Sequence, residues 1–334
     1  MLGCTKHVFN KSINSKSFER CIRFLASYTR KDVEIPVPIT GGHIAAQLWQ
    51  GKTNPGSPSY SPIVCLHGVQ DNSCSFDPLI PLILKDNMTI ISVDQPGHGF
   101  SSHTKGAGYD FLVDAVATIS RVMRHFNWEK VSLMGHSFGA ITSFVFAGTN
   151  PDMVDRYIAI ENLHVIDRDL LKTAQRTYKV LFQVEDKLTN PNIKQPSYPY
   201  DVLLQRVVKA RRGTVTEEGI KTLLKRGAAP DPTNPNLFQF THDLKTTIPS
   251  QYGRYTYEQS LKIASNLKCP VCVIKGDPGE DYEPREKYLE MVGAVKKANS
   301  GKVVFHLVPG THHLHLNEPE CVAPLISEFL DKKF

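Results

Sequence analysis

The chain has 334 residues, 41% hydrophobic and 22% charged, the balance of a globular protein large enough to bury a sizeable core. No run approaches the ~18 consecutive apolar residues that a membrane-spanning helix requires. The formal charge of +6 has a single source: Lys6, Lys11, Lys16, Arg20, Arg23, Arg30 and Lys31 stand against Glu19 alone, and the remainder is neutral, so the charge gives no reason to expect a nucleic-acid-binding face.

Residues 1–30, rich in base and serine and almost free of acid, read as a basic tail or as a mitochondrial transit segment ending near "RCIRFLASY". The expected location is therefore inside the cell, in cytoplasm or mitochondrion. Seven cysteines, an odd number in a chain of this size, fit a reducing compartment rather than a disulfide scaffold. Cys269 and Cys272 form a C-x-x-C inside the apolar run "LKCPVCVIKG". No second Cys or His pair stands nearby at zinc-binding spacing, so both are expected to be core thiols.

In chain order, "VEIPVPIT" and "HIAAQLWQ" flank Gly41-Gly42 and predict an opening hairpin. After the loop "GKTNPGSPSYSP", strands and helices alternate. "IVCLHG" predicts a strand, "FDPLIPLIL" a helix, "MTIISVD" a strand, "YDFLVDAVATISRVMRHF" an amphipathic helix, "KVSLMG" a strand, "SFGAITSFVFAG" a helix and "DRYIAIEN" a strand. The strands are short and apolar without polar alternation, as in a parallel sheet covered on both faces. After Asn162 the rhythm breaks into a charged, helical stretch with the Pro-rich breaks "LTNPNIKQPSYPY" and "AAPDPTNPN". The rhythm resumes with the strand "PVCVIKG", a helix near "PREKYLEMVGAVKKA", the strand "KVVFHLVP" and the helix "PECVAPLISEFLDKK". Roughly a hundred residues are too many for a loop between two strands of one sheet. The chain therefore divides into a core, 31–161 and 268–334, and a helical cap, 162–267, over the carboxyl edge where such sheets bind ligands.

Gly135-His136-Ser137-Phe138-Gly139 is a G-x-S-x-G that follows a predicted strand and opens a predicted helix. In that setting the glycines permit a turn too tight for side chains, and the serine hydroxyl is presented at the top of the sheet near a helix N-terminus. The chemistry needs a hole for the oxyanion of a tetrahedral intermediate. Its donors are expected to be the N–H of Phe138 and, after the strand ending in His67-Gly68, the N–H of Val69. The base is expected after the last strand, where "VPGTHHLHLNEPE" offers His312, His313 and His315. His312, the first after the Pro-Gly turn, is the candidate base, and His315 an orienting or packing residue. Three histidines so close could mark a metal, but neighbours diverge and no acid adjoins them at ligand spacing. The acid that fixes the imidazole tautomer stays open. Asp281 is preferred over Asp277 in "GDPGEDYEP", and Glu161, at the end of the strand before the cap, is the alternative. Asp94 and the glycines of "DQPGHGFSSH" are expected to shape a strand-to-loop turn. No dinucleotide fingerprint is present, and no metal or organic cofactor is implied.

Taken together, "LHG", "VDQPGHGFSSH", "MGHSFGA", "NPDMVDRYIAIE" and "PGTHHLHLNEPE" resemble the α/β-hydrolase superfamily from about Lys31 to the C-terminus. Within it, "CLHGVQDNSCSFDPLIPLI", "VDRYIAIE" and "LLKRGAA" are most similar to the serine hydrolase-like, kraken-type proteins. The resemblance implies a mostly parallel eight-stranded sheet with a helical lid, Ser137 as nucleophile and His312 as base. The loop after "PVCVIK" departs from the usual Gly-x-x-Asp, since the residue three after Gly276 is Gly279. Glu161 stands where the related haloalkane dehalogenases hold their catalytic acid. The expected activity is a serine hydrolase of carboxylesterase type. It would act on a small-molecule ester or thioester with a hydrophobic group, suggested by Tyr198, Tyr200, Phe238 and Phe240 in the cap. The rival readings are a non-catalytic ligand-binding protein of the same fold, and a haloperoxidase or carbon–carbon bond hydrolase using the same triad. Oligomeric state is left open.

Overall fold

The computed structural model describes residues 28–103, 111–167, 169–248 and 255–334; the tail or transit expectation falls almost wholly outside them. The chain enters on the antiparallel pair β1 (Thr29–Val37) and β2 (Gly42–Gln50), with Gly41 at φ 65° in the turn between them, so the expected hairpin forms. It starts slightly earlier than residue 31, because Arg30 lies over the Trp49 ring at 4.6 Å and pairs with Asp77 at 3.2 Å. β3 (Ile63–Leu66) follows. Pro78 and Pro81 reduce the helix expected over 76–84 to a 3₁₀ turn, Ser73–Phe76, and the single-turn α1 (Ile80–Ile83).

The alternation then runs as β4 (Thr89–Val93), α2 (Phe111–Phe126), β5 (Val131–His136), α3 (Phe138–Thr149) and β6 (Val154–Ile160). An insertion follows, carrying α4 (Leu170–Thr189), α5 (Tyr200–Arg211), α6 (Glu217–Gly227) and an antiparallel pair, β7 (Ala228–Asp231) with β8 (Asn234–Phe240). The chain closes with α7 (Tyr257–Ser265), β9 (Val271–Pro278), α8 (Arg285–Ala298), β10 (Val303–Gly310), α9 (Leu314–Asn317) and α10 (Pro319–Asp331). The eight-stranded sheet has the order β1-β2-β4-β3-β5-β6-β9-β10, antiparallel at its first two pairings and parallel from β4 onward. No helix among the described residues is long and apolar enough to cross a membrane.

Two cores cover the two faces of this sheet, and the period of two along each strand divides residues between them. Val64 and Leu66 of β3 and Tyr157 and Ala159 of β6 belong to one core; Ile63, Cys65, Ile158 and Ile160 belong to the other. The same alternation settles the C-x-x-C. Cys269 lies in the first core and Cys272 in the second, so the thiols face opposite sides of the sheet, and burial pushes both up to about 12. Helix α3 is buried from Phe138 to Gly148 and forms the centre of the first core.

The insertion departs from expectation at both its composition and its end. The Pro-rich stretch forms part of β7 and β8, because Pro230 sits in a two-stranded ribbon whose edge asks no ladder hydrogen bond of it. Helix α7, expected within the cap, instead packs on the sheet layer. Ile263 lies against Gly148 of α3, and Asn266 Nδ2 donates to the Gly148 carbonyl at 2.7 Å. Residues of α5, α6 and β8 form a third, smaller core with Leu316. Tyr198, Phe238 and Phe240 pack into it and Tyr200 meets Phe238 edge-to-face, and none of the four lines the cavity described below.

Asp94, at the end of β4, accepts from the Ser73 and Phe100 backbone N–H groups and from Arg226 Nε of α6 at 2.8 Å. Gly99, at φ 53°, has no room for a Cβ beside that carboxylate. This is the expected turn-shaping role, with one addition: Arg226, stacked on Phe100, also reaches Asp32 and ties the insertion to the core. Asp94→Ala leaves a guanidinium that is only 4% exposed short of its buried partner. We expect it to lower unfolding free energy by about 3 kcal/mol in urea titrations. A change below about 1 kcal/mol would show that Asp32 alone satisfies Arg226.

Candidate active site

Ser137 is the single residue between the end of β5 and the start of α3. Its φ of 52° and ψ of −114° are strained for any residue with a Cβ. The strain is held by its neighbours. Ser137 N–H donates to the Ile160 carbonyl at 3.0 Å, while its own carbonyl accepts from Ala140 and Ile141. A Cβ at Gly135 would lie 2.3 Å from the Gly139 carbonyl oxygen, and one at Gly139 would lie 1.9 Å from that of Leu66. Both glycines of the pattern are therefore steric requirements. The serine hydroxyl makes no capping bond to α3, and Ser137 lines a cavity of about 450 Å³.

The same cavity is lined by Gly68, Val69 and Phe138. His67 Nδ1–H donates to the Gly68 carbonyl at 2.6 Å, and its Nε2 accepts from Gln95 N–H at 2.9 Å, which assigns the tautomer. Burial pulls His67 below the usual histidine range, in keeping with a neutral ring. In a trans peptide the carbonyl and the following N–H point in opposite directions. Drawing the Gly68 carbonyl toward His67 thus turns the Val69 N–H away from it.

His312, in the turn after β10, is 5% exposed, and its Nδ1–H donates to Glu161 Oε2 at 2.8 Å. Glu161 is fully buried at the end of β6, with φ 71°. It also accepts from the Gly276 N–H, from Glu280 N–H at 3.2 Å and from Lys275 Nζ at 3.3 Å. Burial pulls its carboxyl upward, but the His312 hydrogen bond, the charges of His312 and Lys275 and the Gly276 N–H outweigh it and hold the group below the ordinary range. The imidazole Nε2 is left as the free lone pair.

Between the acids that the sequence leaves open, the structure brings Glu161 to His312 and not the preferred Asp281. Asp281 faces Lys275 at 3.5 Å and Arg285 at 3.3 Å, and Asp277 pairs with Arg285 at 3.9 Å. The reason is visible in the departure from Gly-x-x-Asp. Gly279 stands where that pattern places an aspartate, and a Cβ there would come within 3.0 Å of Glu161 Oε1; at Gly276 it would come within 2.8 Å. The β9 loop makes room for a carboxylate supplied by the neighbouring strand. That glycine, with the buried Lys275 beside it, is the sequence signal for Glu161.

Behind these residues lies a second group that sequence reasoning misses. His136 Nε2–H donates to the His312 carbonyl at 2.9 Å and so anchors the backbone of the candidate base. Asp71 accepts from Arg211 Nη2 of α5 at 2.6 Å and lies 3.3 Å from His313 Nε2 and 3.8 Å from His136 Nδ1. Burial raises the Asp71 carboxyl, but Arg211 foremost, then His313, holds it well below the carboxylate range. An acid does reach His313, then, from a loop remote in sequence. The donor atoms of Asp71, His136 and His313 lie within 4.8 Å of one another, but a guanidinium already holds the carboxylate, so they read as a charge network tying α5 to the loop after β3. His315 packs on Phe76 and His136, with Nε2 2.9 Å from Ser75 Oγ, in the packing role expected of it.

This density of buried histidine sets a pH dependence. Burial holds His98, His136 and His315 well below the ordinary value. As pH falls below about 6.5 the unfolded chain binds protons that the folded chain refuses, so stability falls with pH. Three such groups give a slope of about 4 kcal/mol per pH unit. Urea midpoints are expected to drop steeply between pH 7.5 and 5.5. Equal midpoints would show that these rings are protonated in place.

A family model described as alpha/beta hydrolase fold matches residues 61–319. The chain is 37% identical over 298 residues to a Drosophila melanogaster protein named "Probable serine hydrolase", covering 89% of this chain and 87% of that one. It is 32% identical over 311 residues to human "Serine hydrolase-like protein 2", covering 89% and 93%. A solved structure of a hypothetical protein from Pseudomonas aeruginosa PAO1 superimposes with a TM-score of 0.72 at 28% identity, over 90% of this chain and 100% of that one.

Proposed function

The chain belongs to the α/β-hydrolase fold family, among the serine hydrolase-like proteins, and from that premise we propose that it hydrolyses an ester or thioester through an acyl-enzyme on Ser137. The observation that carries this reading is that a strained, uncapped Ser137 and a His312 tethered to Glu161 line the same cavity.

His312 Nε2 takes the proton from Ser137 Oγ as the oxygen attacks the carbonyl carbon. Glu161, ionised and facing Nδ1–H, holds the tautomer that leaves Nε2 free and stabilises the imidazolium that forms. The backbone N–H groups of Val69 and Phe138 receive the oxyanion, each such donor contributing about 3 kcal/mol to the transition state. His312 then passes the proton to the leaving alcohol or thiol. Water repeats the sequence on the acyl-enzyme, its hydroxyl going to the acyl carbon and its proton, through His312, back to Ser137. Val69, Phe138, Ile141 and Ile166 line the cavity with Ser137 and supply an apolar wall for the acyl or alkyl group. The insertion, which contributes Arg176, Ala210, Arg211, Arg212 and Thr214 to the same lining, acts as the lid.

The test is turnover of a p-nitrophenyl ester series by wild type and His312→Ala. Hydrolysis with a clear chain-length preference, reduced by roughly 10⁴-fold or more in the variant, is expected. Turnover that survives His312→Ala contradicts the mechanism.

A further inference from the structure

The part of the cavity lining that the insertion supplies is cationic in a way that ester hydrolysis alone does not require. Arg176 of α4 and Arg211 and Arg212 at the end of α5 all line it. Arg211 is held by Asp71. Among the described residues, no carboxylate pairs with Arg176 or Arg212, whose side chains stand exposed at the cavity. Arg212 takes φ 49°, a left-handed backbone that favours glycine, and the residue that follows it is Gly213. The lining also holds one acid outside the Asp71 network, Glu280, which lies on the β9 loop beside Glu161 and accepts from the Tyr282 hydroxyl. The cavity is thus polarised: apolar side chains near Ser137, one carboxylate on the core side, and two uncompensated guanidinium groups on the insertion side. Like charges lining one cavity repel each other, and a ligand of opposite charge removes that unfavourable term. Planar guanidinium groups also match the geometry of a carboxylate or phosphate.

We infer that the substrate carries an anionic group, a carboxylate or phosphate remote from the scissile bond, held by Arg176 and Arg212. This rests on the acyl-transfer reading above and names its substrate class: a half-ester of a dicarboxylic acid, with the anion on the acyl side, or a thioester of a phosphorylated thiol, with the anion on the leaving group. The apolar wall takes the chain between the ester and the charge. Hydrolysis proceeds as written above.

The experiment compares two matched pairs in low-salt buffer. Mono-p-nitrophenyl adipate against p-nitrophenyl hexanoate places the charge on the acyl side. Hexanoyl-coenzyme A against hexanoyl-N-acetylcysteamine places it on the leaving group. In wild type we expect kcat/KM to favour the anionic member of one pair by about tenfold, the size of one charge-assisted contact. That ratio is expected to collapse toward one in Arg176→Gln/Arg212→Gln and to fall with added salt. No preference in either pair, or a preference unchanged in the double variant, overturns the inference while leaving the serine mechanism standing. Calorimetric titration of monomethyl adipate and of coenzyme A into Ser137→Ala separates the two claims in the other direction. Binding of one of them that is lost when both arginines are also replaced supports the anion site whatever the turnover. Absence of binding by both at millimolar concentration overturns it.

Discussion

Glu161→Gln is expected to lower kcat for ester hydrolysis by roughly 10⁴-fold, while Asp281→Asn leaves it within a few-fold of wild type. Glutamine keeps the size and the acceptor oxygen of the side chain but adds an N–H₂. Facing His312 Nδ1 at 2.8 Å, that amide favours the tautomer with the proton on Nε2, where the lone pair is needed. It also removes the negative charge that stabilises the imidazolium in the transition state. Among the described residues Asp281 pairs with Lys275 and Arg285, in the half-exposed loop before α8, where such pairs contribute about 1 kcal/mol or less. Because Lys275 is buried beside Glu161, thermal denaturation of each variant accompanies the kinetics, so that loss of fold is not mistaken for loss of the base's partner. Equal losses in the two variants would return the acid to the β9 loop.

Ser137→Ala is the variant with the largest expected effect, a loss of kcat of roughly 10⁶-fold with stability within about 1 kcal/mol of wild type. The hydroxyl makes no capping bond to α3, so its removal leaves no buried polar group unpaired. Alanine keeps the Cβ and therefore the same backbone strain at φ 52°. The contrast between intact folding and lost turnover is what distinguishes a nucleophile from a structural serine at a tight turn. Residual turnover above about 10⁻³ of wild type would place the attacking group elsewhere.

The elbow was legible because its requirements are local. Gly135 meets the backbone of Gly139 four residues on, where only glycine clears it, and that spacing is written in the sequence; the contact of Gly139 with Leu66 at the end of β3 is made by the fold. The hairpin and the parallel strands were legible for the same reason, through turn chemistry and uninterrupted apolar runs. The carboxylate that meets His312 was not, because the two residues lie 151 apart, and nothing in a one-dimensional spacing says which strand end delivers a carboxylate to that histidine. Gly279 held the information as an absence, a residue too small to be the expected aspartate. Asp71 and Arg211, 140 residues apart, were missed on the same grounds. The β7–β8 ribbon was hidden by its prolines, which an edge tolerates and a central strand does not. Sequence order alone groups helix α7 with the insertion, whereas its contacts with α3 belong to the sheet layer.

The most direct measurement is covalent labelling of the folded protein with a fluorophosphonate, followed by intact mass and peptide mapping, on wild type, Ser137→Ala and Glu161→Gln. We expect one adduct per wild-type chain, on the peptide that contains Ser137, none on Ser137→Ala, and much slower labelling of Glu161→Gln. A folded wild type that takes no label, or an adduct that persists in Ser137→Ala, would contradict it.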